Sequence, residues 1–231
     1  MKKIHRFLVP HLPIEATIDI TDKRIVHQVV KVLAMEIGEH LILFTDGGDD
    51  VVFSVNAITA TRVSLQRLET SPQRSNPSRS VVAAIGIAKG AHFDLIVQKL
   101  TEIGVSTVVP LITDRTVKQS VRIDRLQTIS DEALELCGGS TRLRITEPLS
   151  LKECFERFPS TAIVCDREGE APLSTLKTSN DPIVMYIGPE GGWSDNERAF
   201  YTNSGAHIVT LGSRTLRTET AAIVAAYELL C

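Results

Sequence analysis

From residue 80 to the C-terminus, apolar strand-like runs alternate with segments of helical periodicity, and this alternation constrains the fold more than any other feature. Helices are predicted over 91–103 and 124–137, from Ser194 onwards, and over 218–230. Strands are predicted between them, over 80–88, 106–112, 161–166, 183–187 and 207–212. Such alternation favours an α/β fold with a largely parallel sheet covered by helices on both faces.

The first 70 residues have a different pattern of predicted secondary structure. Residues 22–37 carry apolar residues at helical spacing, with Thr21 or Asp22 as the cap, and predict a helix. After Gly38 three strands are predicted, the first two joined by an Asp-Gly-Gly turn. Residues 70–80 are polar, contain two prolines and lack periodicity, which is typical of a linker. The sequence therefore predicts a small, mostly β domain over 1–70 and an α/β domain over 75–231.

Several classes of protein are disfavoured by composition. No apolar run is long enough to span a bilayer, and the apolar part of the N-terminus is too short and proline-broken for a signal peptide. The four cysteines and six histidines are dispersed and form no CxxC pair. This argues against a metal site and favours reduced thiols. We expect a cytoplasmic protein with no membrane partner and no metal.

Charge is distributed unevenly along the chain. The net charge is −3, yet residues 71–125 carry eight Lys/Arg against four Asp/Glu, and both flanking segments are net acidic. A basic middle segment is compatible with a surface that faces phosphate. An ordinary solvated surface is the alternative that charge alone leaves open.

The stretch "IGPEGGWSDNE", residues 187–197, follows a predicted strand with a glycine-rich loop and a helix start. Ser194 and Glu197 have the spacing of a capping box, which satisfies the free amides of a helix start. Open α/β sheets bind ligands at loops of this kind, and glycine lets the main chain approach a bound molecule. A tight strand-to-helix turn is the alternative.

A second loop, "LGSRTLRTETAA" (residues 211–222), joins the next strand to the last helix. Two such loops at one edge of a parallel sheet predict a single pocket, with Arg214, Arg217, Glu190 and Glu219 around its rim. A structural set of ion pairs is the alternative for these four side chains. The chain contains neither GxGxxG, nor a phosphate loop, nor a GxSxG elbow.

These two loops resemble the signature loops of the RsmE family of 16S rRNA methyltransferases, members of the SPOUT superfamily whose methyl donor is S-adenosylmethionine. Three further stretches agree in order and spacing: "HRFLVP", "KVL....GEHLILFTDGG" and "FDLIVQKLTEIGV...VPL". The resemblance covers nearly the whole chain. It implies a PUA-like β-barrel that helps hold RNA, then an α/β domain whose last segment is threaded into a trefoil knot, an exception to unknotted topology. It also implies a homodimer.

The activity implied by the resemblance is methylation of N3 of a uridine, position 1498 in the usual 16S numbering, within the small ribosomal subunit. The family's cofactor lies bent inside the knot loops. The matching positions imply that S-adenosylmethionine binds to Gly188, Pro189, Glu190, Gly191, Gly192, Leu211, Gly212, Leu216, Arg217 and Thr220.

The chemistry suggests roles for the charged residues. Loss of the N3 proton places negative charge on O2 and O4, where Arg217, or else Arg214, would stabilise it. Glu219 and Glu190 are candidate bases, if partial burial raises a pKa toward neutral. Glu219 near a helix start could instead complement the helix dipole.

Three basic residues are expected to contact RNA: Arg6, Lys89 and Arg115. For Arg6 the proposed contact is a phosphate, and a plain surface arginine is the alternative.

The chain departs from the family pattern at three positions. Leu136 and Gly139 stand where the family commonly has Gln and Arg, and Ala34 follows Leu33 where Arg is common. These departures put RNA contacts and substrate identity in question. They support one alternative, a catalytically degenerate RNA-binding ribosome-assembly protein of the same fold. A second alternative is an α/β enzyme that binds another nucleotide at the same loops, against which the absence of a phosphate loop counts.

Overall fold

The computed structural model describes residues 4–71, 77–117, 120–176 and 182–231. The chain divides into two compact units. The first comprises Met1–Asn76 with Leu134–Thr141, and the second comprises Pro77–Ala133 with Arg142–Cys231. Residues 72–76, within the predicted linker, lie outside the described residues.

The first unit contains a five-stranded sheet in the order β1-β3-β4-β5-β2, in which β1 and β3 are parallel and the other pairs are antiparallel. The strands are β1 His5–Leu8, β2 Thr17–Ile20, β3 His40–Phe44, β4 Asp50–Ile58 and β5 Val63–Ser71. The three strands predicted after Gly38 are confirmed. Strands β1 and β2 were not predicted, because each has only four residues and Pro10 and Pro13 interrupt the segment between them.

The helix predicted over 22–37 begins as expected but is much shorter. Helix α1 spans Lys23–His27, and the side chain of Asp22 accepts hydrogen bonds from the first free amides. A π-helical turn, Gln28–Val32, then closes the segment, and Ala34 adopts a positive φ of 46°. The predicted end at Ile37 is wrong: this side chain is 68% exposed, so its helical spacing reflects no buried face.

The second unit contains a parallel sheet in the order β11-β13-β10-β12-β6-β7-β8, with β9 also paired to β7. The prediction of a largely parallel sheet is therefore confirmed. The strands are β6 Val81–Gly86, β7 Thr107–Ile112, β8 Arg144–Ile145, β9 Leu149–Ser150, β10 Thr161–Cys165, β11 Ala171–Pro172, β12 Ile183–Ile187 and β13 His207–Thr210.

Helices cover both faces of this sheet: α2 His92–Ile103, α3 Ile123–Cys137, α4 Leu151–Arg157, α5 Asp195–Asn203 and α6 Thr218–Leu230. Alternate residues of β6 face opposite sides, so one core packs against α2, α3 and α6 and the other against α4 and α5. Helix α4 was not predicted, although Ser150 and Glu153 form a capping box that is readable in the sequence. Within the described residues, no helix combines the length and apolar character needed to cross a bilayer.

Candidate active site

One cleft of about 460 Å³ opens where β10, β12 and β13 end. Its lining comes from residues 165–167 at the end of β10, 187–193 at the end of β12, and 210–211 with 214–218 at the end of β13, together with Arg115, Arg198 and Ala221. The carboxyl edge of a parallel sheet is the usual ligand site of α/β proteins, and this volume suits a small molecule. The two loops predicted to share one pocket therefore do so.

Most of the predicted cofactor residues line this cleft. Gly212 and Thr220 do not: Gly212 adopts a φ of 115° beside the lining residue Leu211, and Thr220 is exposed in the first turn of α6. The residues that do line it are Gly188, Pro189, Glu190, Gly191, Gly192, Leu211, Leu216 and Arg217.

Two glycines of the β12–α5 loop have different structural reasons. A Cβ on Gly188 would lie 3.2 Å from the ring of Trp193, which is buried and donates its Nε1–H to the carbonyl of Cys165. Gly192 has a φ of 70°, and a Cβ there would meet no other atom within 4 Å. The first glycine permits close packing and the second permits a left-handed turn.

The same loop is held from outside by the turn that follows β7. The predicted capping box is present, since Ser194 and Glu197 exchange backbone and side-chain hydrogen bonds. Buried Glu197 also accepts from the amide of Asp114 at 3.1 Å, and the carboxylate of Asp114 accepts from the Ser194 hydroxyl. Arg115 Nη1 donates to the carbonyl of Gly191 at 2.9 Å. These contacts hold the glycine-rich wall in place.

The opposite wall, Leu211 with residues 214–217, carries exposed arginines. Arg214 and Arg217 line the cleft, and within the described residues neither makes a side-chain hydrogen bond or an ion pair. At the start of α6, Thr218 Oγ1 donates to the carbonyl of Gly188 at 3.2 Å, which links the two walls.

The two predicted bases lie in different places. Glu219 does not line the cleft: its carboxylate is 3.2 Å from His92 Nδ1, and it occupies the first turn of α6, where a carboxylate complements the helix dipole. This position favours the helix-dipole role over that of a base. Glu190 lines the cleft, is exposed, and accepts a hydrogen bond from the amide of Lys89 at 3.0 Å.

Arg6 is not available to RNA, contrary to the prediction. It is 7% exposed, pairs with Asp50 through two hydrogen bonds of 3.1 and 2.7 Å, and lies 4.0 Å above the ring of Phe44. It also donates to the carbonyls of Leu134 and Gly139. A guanidinium with this many partners is a structural group, because a bound phosphate would have to break a buried pair.

The other predicted RNA contacts and the departures from the family pattern also have places in the structure. Lys89 is exposed and does not line the cleft, whereas Arg115 does. Leu136 is 64% exposed on α3, and the carbonyl of Gly139 serves Arg6. Ala34 has the positive φ described above.

Sequence reasoning missed the segment after β10. Asp166 lines the cleft, is buried, and accepts hydrogen bonds from Arg198 Nε at 3.0 Å and from the Tyr201 hydroxyl. Burial alone would raise the pKa of Asp166, but these hydrogen bonds outweigh it and hold the pKa below its usual range. Burial raises the pKa of the neighbouring Cys165 thiol to about 12. Polar residues directly after a predicted strand were the signal available in "VCDREG".

Comparison with known proteins identifies the family. A family model described as "RNA methyltransferase domain" matches residues 74–229. The chain is 32% identical to ribosomal RNA small subunit methyltransferase E of Synechocystis, over 94% of this chain and 74% of that protein. It is 27% identical to the Rickettsia conorii protein of the same name, over 97% and 94%.

The crystal structure of ribosomal RNA small subunit methyltransferase E from Neisseria gonorrhoeae bound to S-adenosyl methionine superimposes with a TM-score of 0.90. The two chains are 28% identical, and the match covers 97% of this chain and 95% of that one. On the family model, the sequence identities and this fold, the chain belongs to the family of ribosomal RNA small subunit methyltransferase E.

Proposed function

We propose that this protein transfers a methyl group from S-adenosylmethionine to N3 of a uridine in the 16S rRNA of the small ribosomal subunit. The observation that carries the proposal is the cleft itself, in which a fixed glycine-rich wall faces a wall of unpaired arginines. The first wall suits a small ligand held by backbone groups, and the second suits an anionic substrate.

The lining of the cleft fits S-adenosylmethionine. Its volume is in the range of small-molecule sites, and three glycines leave main-chain atoms accessible. The Neisseria relative, which shares the fold, binds this molecule. Gly188, Gly191 and Gly192 would hold it on one side, and Leu211 and Leu216 on the other. When bound, it supplies a methyl group on a positively charged sulfur.

The side chains of the cleft would serve the uridine. The base must leave its stack to expose N3, and N3 must lose its proton to offer a lone pair. Glu190 is the carboxylate best placed to take that proton, because Asp166 is already engaged by Arg198 and Tyr201. Arg217, with Arg214 as second candidate, would stabilise the charge that develops on O2 and O4.

The proposal includes a knotted second domain over about residues 75–231. Helix α6 packs against α2, β6 and β12, whereas β13, which precedes it, lies beyond β10 in the sheet. The chain must therefore pass back across the carboxyl edge between β13 and α6. A Cβ on Gly169 would lie 2.4 Å from the carbonyl carbon of Val209, so the loop after β10 closes tightly on β13. Both features support threading of the last segment through that loop.

A PUA-like barrel over about residues 1–70, a homodimer and a cytoplasmic location complete the proposal. The mixed five-stranded sheet of the first unit supports the barrel. Helix α6 is apolar around much of its circumference, including Tyr227, which is 60% exposed, and this supports a subunit interface.

Transfer of label to ribosomal RNA tests the function. Small ribosomal subunits that lack the modification are incubated with the protein and methyl-labelled S-adenosylmethionine, and the labelled nucleotide is mapped. We expect label at N3 of one uridine. Binding of S-adenosylmethionine without transfer would identify a degenerate RNA-binding relative, and absence of binding would reject the proposed cofactor.

A further inference from the structure

The cleft is basic although the chain as a whole carries a net charge of −3. Two carboxylates, Asp166 and Glu190, line it together with five arginines: Arg115, Arg167, Arg198, Arg214 and Arg217. Arg115 and Arg198 already have partners, in the carbonyl of Gly191 and the carboxylate of Asp166. Within the described part of the chain, the other three arginines make no side-chain hydrogen bond or ion pair. Arg167 is the one among them that no family resemblance singled out.

Arg167 projects from a turn whose every other residue is held in place. Asp166 is fixed on both sides, by its amide to the carbonyl of Val209 and by its carboxylate to α5. The amide of Gly169 returns to the carbonyl of Asp166, and Gly169 packs too closely on β13 to accept a Cβ. Glu168 donates its amide to Asp166 Oδ1, and its carboxylate lies 3.4 Å from Arg198. Within the described residues, Arg167 is thus the residue of this turn whose side chain is exposed and makes no hydrogen bond or ion pair.

A rigid turn that presents an unpaired guanidinium into a cleft is suited to binding an oxyanion, since little order has to be gained on binding. Apart from the charge that develops on the uridine, for which Arg217 and Arg214 are the candidates, the oxyanions of the proposed reaction are the RNA phosphate and the carboxylate of S-adenosylmethionine. The exposure of Arg167 and the surplus of positive charge at the cleft favour the phosphate. A phosphate beside an unstacked nucleotide would fix the register of the RNA without reading its sequence.

We infer that Arg167 binds a backbone phosphate of the RNA next to the target nucleotide and thereby positions that nucleotide in the cleft. The inference rests on the proposed function, because it requires an RNA substrate. It adds a substrate-binding residue from the β10 loop, which the two signature loops do not contain.

The experiment compares Arg167→Ala, Arg167→Lys and a matched control, Arg144→Ala. Arg144 is also an exposed arginine of the second unit, but it lies in β8 at the opposite edge of the sheet. Affinity for unmodified small subunits is measured at several salt concentrations, and S-adenosylmethionine affinity is measured by calorimetry. Single-turnover methyl transfer is measured at limiting and at saturating subunits.

For Arg167→Ala we expect subunit affinity to fall about tenfold and its salt dependence to flatten by about one unit of log–log slope. Affinity for S-adenosylmethionine should stay within about twofold of wild type, and single-turnover transfer should fall more at limiting than at saturating subunits. Arg167→Lys should keep the salt slope because it keeps the charge. Arg144→Ala should match wild type throughout.

Two outcomes would overturn the inference. Arg167→Ala could behave like Arg144→Ala, in which case Arg167 binds nothing that matters to the reaction. It could instead lose S-adenosylmethionine affinity with subunit affinity intact, which would assign the guanidinium to the cofactor carboxylate. Failure of the proposed function is distinguishable, because the wild-type protein itself would then transfer no methyl group.

Discussion

One arginine of the first unit and three arginines of the second have opposite surroundings. In the first unit Arg6 is buried, has two hydrogen bonds to Asp50 and donates to two carbonyls, so its guanidinium stabilises the fold and is not available to a ligand. In the second unit Arg167, Arg214 and Arg217 line a cleft, are exposed, and have no side-chain partner within the described residues. The charge is the same in both cases. What distinguishes a structural arginine from one that can bind a ligand is whether its guanidinium already has hydrogen-bond or ion-pair partners.

The largest effect, a loss of unfolding free energy, is expected from replacing Arg6, the buried and fully paired arginine. Arg6→Ala leaves Asp50 buried without its partner, and breaking such a pair typically costs about 3–5 kcal/mol of unfolding free energy. Arg62→Ala is the matched control, because its pair with Asp19 is about half exposed and should contribute no more than about 1 kcal/mol. Urea denaturation measures both. Equal losses in the two variants would remove the basis for calling Arg6 structural.

Replacing an exposed, unpaired arginine of the cleft should lower the rate of methyl transfer without changing the stability of the protein. Arg217→Ala is expected to lower single-turnover methyl transfer by a factor on the order of a hundred, as for loss of one donor to developing charge. Its unfolding free energy should change by less than about 0.5 kcal/mol, because no partner is lost. The rate is measured at saturating subunits and S-adenosylmethionine. A wild-type rate there would reject Arg217 as the stabilising group and make Arg214 the residue to examine.

The sequence predicted helices and strands better than it predicted which side chains pair with each other. Periodicity located the longer strands and most helices of the second unit, although not α4 or the two-residue strands β8, β9 and β11. The Ser194–Glu197 box located the start of α5, because a capping box is a local relation. Two glycine-containing loops after neighbouring strands were enough to predict one cleft. The pairing of Arg6 with Asp50 joins residues 44 positions apart, and no local pattern reports it. The turn at Ala34 was missed for a related reason, since apolar spacing up to Ile37 imitates a helix.

Two glycines with similar backbone conformations allow the same comparison between a position in the cleft and a position outside it. Gly192 and Gly205 have φ values of 70° and 74°, and a Cβ on either would meet no atom within 4 Å. Valine at either position should therefore cost a similar strain of about 1–2 kcal/mol. Only Gly192 lines the cleft.

Gly192→Val should accordingly weaken S-adenosylmethionine binding by about tenfold or more, whereas Gly205→Val should not weaken it. Calorimetry measures the affinity, and thermal unfolding checks that the two variants are destabilised alike. Equal affinities would mean that the glycine-rich loop is only a turn.

The smallest effect is expected at Asp166. This residue lines the cleft, and the question is whether its paired carboxylate stabilises the fold as the paired guanidinium of Arg6 does. Its hydrogen bonds from Arg198 and Tyr201 keep its pKa below the ordinary value despite burial. A carboxyl whose pKa is lowered on folding stabilises the protein above its unfolded pKa of about 3.9, and this contribution is lost as the pH falls through the folded pKa.

Asp166→Asn should therefore be less stable than wild type at pH 7, and the gap should narrow as the pH is lowered below about 4. Asp195→Asn is the matched control, because Asp195 is 3.6 Å from the same arginine but its side chain is 96% exposed. That variant should stay close to wild type at every pH. Urea denaturation at pH 7, 5, 4 and 3 gives the comparison. A gap for Asp166→Asn that does not change with pH would show that the substitution acts through packing, and Asp166 would then contribute no charge-dependent stability to the wall of the cleft.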